Sequence, residues 1–252
     1  CLRTRRPQPL SSFRCRYPYS TGICYYKLND VYPACSWSTI DYYGIQKLSY
    51  FTVKNAFEPL HVCIKFDTLS LRGNQLLPVF LIDENIGSTE GDKIKCEVYG
   101  ADLKLKLRES FVITRRKPFA QQVGNLFLPE IVTSETPLFV TVSLMRENKV
   151  LCSTYYWLNF REKRNCLFRL PETKLSFQKE SEQEIVIFNE GNVPAVGVLI
   201  ENYKYDEEFY VSDNMLWIGA GETKKIFVSH FEDLHIRAFN CSWKKSKGSR
   251  AQ

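Results

Sequence analysis

Along the chain the spacing of apolar positions changes character twice and divides it into three blocks. In the first, residues 21–28 (TGICYYKL) read as a short, mostly apolar strand entered from Gly22, and the NDVYPACSWS that follows reads as a loop broken by Pro33. From about Gly44 the period becomes helical. Tyr50, Val53 and Phe57 fall at i, i+3 and i+7 with Leu48 and Phe51 beside them, and Pro59 stops the run. Strand, loop and helix make one βα unit, which cannot bury both of its faces alone.

The second block, residues 60–166, turns to short strands. HVCIKF, LLPVFLI, KIKCEVYG, LFVTVSLM and LCSTYYWLNF are separated by the turn signals RGNQ (72–75), GSTEGD (87–92) and ENK (147–149). Leu138, Val140, Val142 and Leu144 alternate with Phe139, Thr141 and Ser143, which predicts one buried face. The third block, residues 167–243, repeats this grammar with EIVIF, AVGVLIE, EFYV, MLWI and KKIFVSH around the turns NEGNVP and GAGE, after a linking stretch at 167–175. Strands at this spacing without intervening helices predict two antiparallel sandwiches, the second smaller than the first.

Composition narrows the class. The chain has 252 residues, is 44% hydrophobic and contains 17 Phe, 14 Tyr and 4 Trp, enough apolar surface to fold as a globule. No apolar run approaches the roughly 18 residues of a spanning helix, so no membrane role is expected. The net charge of +6 belongs to the ends: nine of the 34 basic groups lie in residues 1–16 and 242–252, which hold no acid, leaving 25 against 28 acidic groups between. Residues 244–252 are read as a basic tail and no nucleic-acid partner is expected. Nine cysteines form no CxxC and no Cys/His cluster with zinc spacing, and several sit in apolar runs, as Cys24 and Cys152 do. Buried free thiols and a reducing, cytoplasmic setting are the expectation, with no metal and no cofactor.

Catalytic chemistry is sparse. The βα unit offers Asp30, Asp41 and Glu58; the latter two sit at a loop and a helix end, where carboxylates cap or pair. His61, His230 and His235 are far apart on predicted strands and read as structural, so no catalytic residue is assigned. The aromatic segment 25–43 is different. Tyr25, Tyr26, Tyr32, Trp37, Tyr42 and Tyr43 are interleaved with Asn29, Asp30, Ser36, Ser38 and Asp41. Rings beside amide and carboxylate groups suit a sugar, which stacks its C–H face and hydrogen-bonds its hydroxyls. An aromatic core beneath a loop is the alternative.

The same segment carries a resemblance. KLNDVYPACSWSTIDYYG (27–44), followed by Lys47, Tyr50–Phe51 and Ala56–Pro59, resembles the last barrel segment of glycoside hydrolase family 2 enzymes, in the form typical of their β-mannosidase branch. VSDNMLWIGAGETKKIFV similarly resembles the pattern of that branch's last domain, with Ala220 where proline is usual. The match runs from Gly22 to Pro59.

The resemblance implies a mixed fold: residues 1–59 as the C-terminal remnant of a (β/α)8 barrel, ending in its last βα unit, then immunoglobulin-like β-sandwiches at 60–166 and 167–243. It implies a retaining exo-glycosidase that removes terminal β-linked mannose, with both catalytic glutamates on earlier barrel strands and therefore not in this chain. Taken alone, the chain is expected to be inactive and to expose the apolar face of helix 44–57. Asn29 and Asp30 match the family's N-D near the sugar-binding face, Tyr26 stands where the family usually has Trp, and Trp37 falls in its S-W-S; these four are the candidate substrate-binding residues. The alternative is a non-catalytic β-sandwich module that binds carbohydrate or protein, for which Trp157 and Trp217 are the aromatics of interest.

Overall fold

The computed structural model describes residues 8–84, 91–115, 117–160, 166–202 and 209–241. The basic tail, part of the GSTEGD turn and the start of EFYV lie outside the described residues. The chain is mostly β and divides into two compact units, residues 1–25 with 52–166 and residues 26–51 with 167–252.

The first unit opens with helix α1 (Gln8–Arg14); helix α2 (Leu48–Phe57) runs into it from the second unit. One sheet holds β1 (Leu60–Ile64), β2 (Gln75–Asp83) and β5 (Phe119–Leu128) in the order β1-β2-β5. The other holds β3 (Lys93–Tyr99), β4 (Leu105–Val112), β6 (Leu138–Arg146) and β7 (Lys149–Leu158) in the order β4-β3-β6-β7. A short helix, α3 (Glu130–Thr133), links β5 to β6. All pairings are antiparallel, and Val62, Ile64, Val79, Leu81, Ile94, Val98, Val140, Val142 and Leu144 fill one core from both sheets. The opposite face of β6 is covered too: Phe139 is fully buried, edge-on to Trp157 of its partner strand. Two strands of this unit, β4 and β5, are absent from the sequence reading. The first is an edge strand whose Lys and Arg look outward, Arg108 pairing with Glu97 at 2.7 Å. The second is interrupted by Gly124, where a Cβ would sit 2.2 Å from the Phe111 ring, beside a register shift at Val79/Phe80.

The second unit pairs β8 (Leu175–Lys179), β9 (Glu184–Asn189) and β12 (Thr223–Phe227) in the order β12-β9-β8, and β10 (Ala195–Asn202), β11 (Leu216–Ile218) and β13 (Leu234–Arg237) in the order β11-β10-β13. Central β10 is buried on both faces, as its unbroken AVGVLI demands. Phe51, Ile185, Ile187, Val198, Ile200, Leu216 and Ile226 share its core. Among the described residues of EFYV, Val211 pairs by an isolated bridge to Val228.

The βα unit differs from the sequence reading. Residues 21–28 form no strand; their one pairing partner nearby is an isolated bridge from Asn29 to Ile40. A strand needs a neighbour along its length to satisfy its amides, and in this segment the Leu28 carbonyl, at its end, accepts from the Thr39 and Ile40 amides without a ladder forming. The helix begins at Leu48 rather than Gly44, because residues 44–47 close a loop, and its apolar side is buried at Phe51 and Ala56. Cys24, expected inside, is exposed.

Candidate functional site

The aromatic segment folds as a self-knotted loop within the second unit. Lys27 adopts φ +71°, an unusual left-handed setting for lysine that turns the chain into Leu28. The Leu28 carbonyl then accepts from the Thr39 and Ile40 amides and the Thr39 hydroxyl, while the Asp30 amide donates to Ile40 O at 3.1 Å. At the far end the Asp41 carboxylate accepts from the Tyr43 and Ile45 amides, both at 2.9 Å, and Gly44 takes φ +84° to complete the turn.

Asp30 is the centre of this knot. It is 3% exposed, and its carboxylate accepts from the Lys47 ammonium at 2.7 Å, the Ser38 hydroxyl at 2.7 Å, the Ser36 hydroxyl and the Lys27 ammonium at 3.1 Å. Lys47 also donates to Ser38 Oγ at 2.6 Å. The Lys47 ammonium, followed by the two serine hydroxyls, holds the Asp30 carboxyl well below the usual carboxylate range. A carboxylate so permanently ionised and so fully occupied is a fixed anchor and not a proton shuttle.

The rings around the anchor point outward. Tyr26 is 82% exposed and Trp37 69%, with Leu28, Val31 and Tyr32 also exposed. Lys27 sits between them, its ammonium 5.5 Å from the Trp37 ring centroid and 6.0 Å from that of Tyr32. Asn29 is exposed beside them, its amide donating to the Asp30 carbonyl at 3.3 Å. The segment is therefore not an aromatic core: buried polar groups hold the loop, and the rings face solvent. Of the four candidates, Tyr26, Asn29 and Trp37 lie on the exposed side and Asp30 lies beneath them. Sequence reasoning missed Lys27 and Lys47 as organising residues; the signal was two lysines flanking an N-D that carries S-x-S six residues on.

Other polar groups are structural. Glu58 lends its backbone carbonyl to Arg14 at 2.9 Å, and Asp41 caps its turn. Ser229, His230 and Asn202 lie together but with the wrong polarity for nucleophilic catalysis. Asn202 Nδ2 donates to His230 Nε2 at 2.8 Å, so Nδ1 carries the proton and Ser229 Oγ accepts from it while also accepting from the Tyr210 amide. Trp157 and Trp217 are half-buried on their strands. Among the described residues no group of His, Cys, Asp and Glu could hold a metal ion, and no helix is long and apolar enough to cross a membrane.

Comparison with known proteins adds to this picture. No protein-family model matches the chain. Beta-mannosidase B of Thermothelomyces thermophilus is 44% identical over 46 residues, 18% of this chain and 5% of that protein. Among solved structures, the exo-chitosanase CsxA of Amycolatopsis orientalis superposes with a TM-score of 0.68 at 16% identity, over 91% of this chain and 31% of that one. The β-D-mannosidase of Dictyoglomus thermophilum gives 0.66 at 21% identity, over 92% of this chain and 28% of that one. The chain thus spans about a third of the length of the structures it matches. A short stretch of this sequence is similar to a β-mannosidase, and the fold of nearly the whole chain is similar to part of the exo-chitosanase and of the β-D-mannosidase.

Proposed function

We propose that this chain is the non-catalytic C-terminal portion of a retaining exo-glycosidase that releases terminal β-linked mannose. Residues 22–59 serve as the closing segment of its barrel and the two sandwiches as its supports. The observation that carries the reading is the knot at Asp30, which spends one buried carboxylate, two serines and two lysines on holding Tyr26, Asn29 and Trp37 outward. A loop built only for packing would turn those rings inward. In the complete enzyme the rings floor the sugar pocket and Asn29 binds a hydroxyl, while two glutamates outside this chain supply acid/base and nucleophile. The glycan is the partner, and neither cofactor nor metal is needed. The reading is tested in an enzyme that joins a family 2 barrel to this chain. Trp37→Ala should lower kcat/KM for an aryl β-D-mannoside at least about tenfold, the loss of one stacking ring in the pocket; an unchanged value would remove Trp37 from the sugar site.

The exposure of the same rings favours a second reading, a carbohydrate-binding module without a catalytic partner. Binding of β-1,4-linked manno-oligosaccharide by the 252-residue chain alone, with quenching of its fluorescence that Trp37→Ala abolishes, would support that module.

A further inference from the structure

Two free thiols meet inside the first unit. Cys15, immediately after α1, and Cys63 of β1 are 48 positions apart in sequence, yet their Sγ atoms lie 3.5 Å apart. The contact belongs to a built junction. Val62 and Ile64 of β1 face the sandwich core, so His61 and Cys63, at alternate positions, share the outer face of that strand. Ser11 and Cys15 stand one turn apart, the Cys15 amide donating to the Ser11 carbonyl at 2.9 Å. Ser11 meets His61, Oγ to Nε2 at 3.1 Å, as Cys15 meets Cys63. Leu10 is buried, and the largely buried Arg14 side chain reaches the carbonyls of Ala56 and Glu58 and the Glu84 carboxylate. The helix is thus pinned on both sides of the sulfur pair.

We infer that Cys15 and Cys63 are a disulfide modification site, which closes under oxidising conditions to staple α1 to β1. The sulfurs must approach by about 1.5 Å to reach a bond of about 2.05 Å. The oxidant is a small-molecule disulfide such as glutathione disulfide. Cys15, the half-buried and more accessible thiol, loses its proton to solvent and attacks one sulfur of the oxidant, forming a mixed disulfide and releasing one glutathione thiolate. Cys63 then gives up its proton and attacks Cys15 Sγ, forming the internal bond and expelling the second thiolate, and both thiolates take up protons. Two protein thiols are oxidised and one glutathione disulfide is reduced to two glutathiones. The contact with Cys15, together with burial, pushes the Cys63 thiol well above its ordinary range, which makes the second step the slower one.

The folded 252-residue chain is incubated with glutathione disulfide, alkylated, and digested without reduction. A peptide pair joined through Cys15 and Cys63, lighter by two hydrogens and separated by dithiothreitol, is the expected product. Amide exchange across residues 10–15 should slow at least about tenfold in the oxidised protein. Cys15→Ser should abolish the linked pair, whereas Cys24→Ser and Cys35→Ser, at exposed thiols, should leave it. Cys15 arrested as a glutathione adduct, Cys63 joined to Cys152 instead, or thiols that remain unlinked would each overturn the inference. These outcomes are read on the unsubstituted chain and do not depend on any variant folding.

Discussion

At the residue scale the chain places charge where it cannot change. Asp30 sits beneath the aromatic loop with two ammonium groups and two hydroxyls on one carboxylate. Substituting it leaves Lys47 and Lys27 facing one another with no counter-charge. Asp30→Asn should therefore release the loop, raising proteolytic cleavage within residues 26–47 several-fold and altering Trp37 fluorescence while the sandwich cores persist; cleavage at the unsubstituted rate would deny the knot its role. His61 gives the opposite case. It is 3% exposed, and burial, followed by the nearby Arg14 charge, lowers its pKa to about 3. The unfolded chain takes up its proton near pH 6.5 and the folded chain only near pH 3, so below pH 6.5 the unfolded state binds more protons and stability is lost as the pH is lowered. The loss should reach about 2 kcal/mol between pH 7 and pH 5. Urea unfolding at both pH values should show that slope, and His61→Gln should lose most of it.

At the scale of elements, buried asparagines tie strand ends together in both units. Asn159, at φ +61° after β7, accepts from the Leu71 amide at 2.7 Å and donates to the carbonyls of Thr133 and Glu135. Asn189, at the end of β9, donates to Val193, Ile218 and Gly219 carbonyls and accepts from Thr173 Oγ1 and the Gly191 amide. Asn189→Ala would remove all five of these hydrogen bonds at once, and should cost about 2–4 kcal/mol in chemical denaturation. A loss below about 0.5 kcal/mol, the range of ordinary surface substitutions, would show that the strands hold without it.

The legibility of these elements follows from the same physics. Strands with a core-facing apolar stripe, such as β6 and β10, could be read from period alone. Strand β4 could not, because an edge strand that keeps Lys106 and Arg108 on its outer side looks like a charged loop. Residues 21–28 failed in reverse: Ile23, Cys24, Tyr25 and Tyr26 have strand character, but a strand exists only where a neighbour supplies hydrogen bonds. The aromatic segment stood out in sequence. That Asp30 would be buried and its neighbours exposed did not, since Lys47 and Ser38 reach it only after the loop closes.

At the scale of the molecule, each unit has its own core, and the surface that asks for an explanation is the aromatic loop. Tyr26, Leu28, Val31, Tyr32, Trp37, Tyr42 and Tyr43 are all exposed. Of the apolar face expected to be exposed on helix 44–57, Phe51 is buried, Leu48, Tyr50 and Val53 are half-buried and Phe57 is exposed, so the loop before the helix carries more of the exposed apolar surface. Apolar groups gathered this densely mark an interaction surface. Sedimentation should reveal concentration-dependent association of the 252-residue chain, and Tyr26→Ser with Val31→Ser should reduce it; a strictly monomeric chain at high concentration would contradict that expectation.

The proposed function has this chain shape a glycosidase without supplying its chemistry. It is tested most directly by hydrolysis of a chromogenic aryl β-D-mannoside, measured for the 252 residues alone and for the same residues following a family 2 barrel that carries both glutamates. Turnover is expected only in the longer protein. Turnover by the 252 residues alone, lost on substitution of Asp30, Asp41 or Glu58, would contradict it.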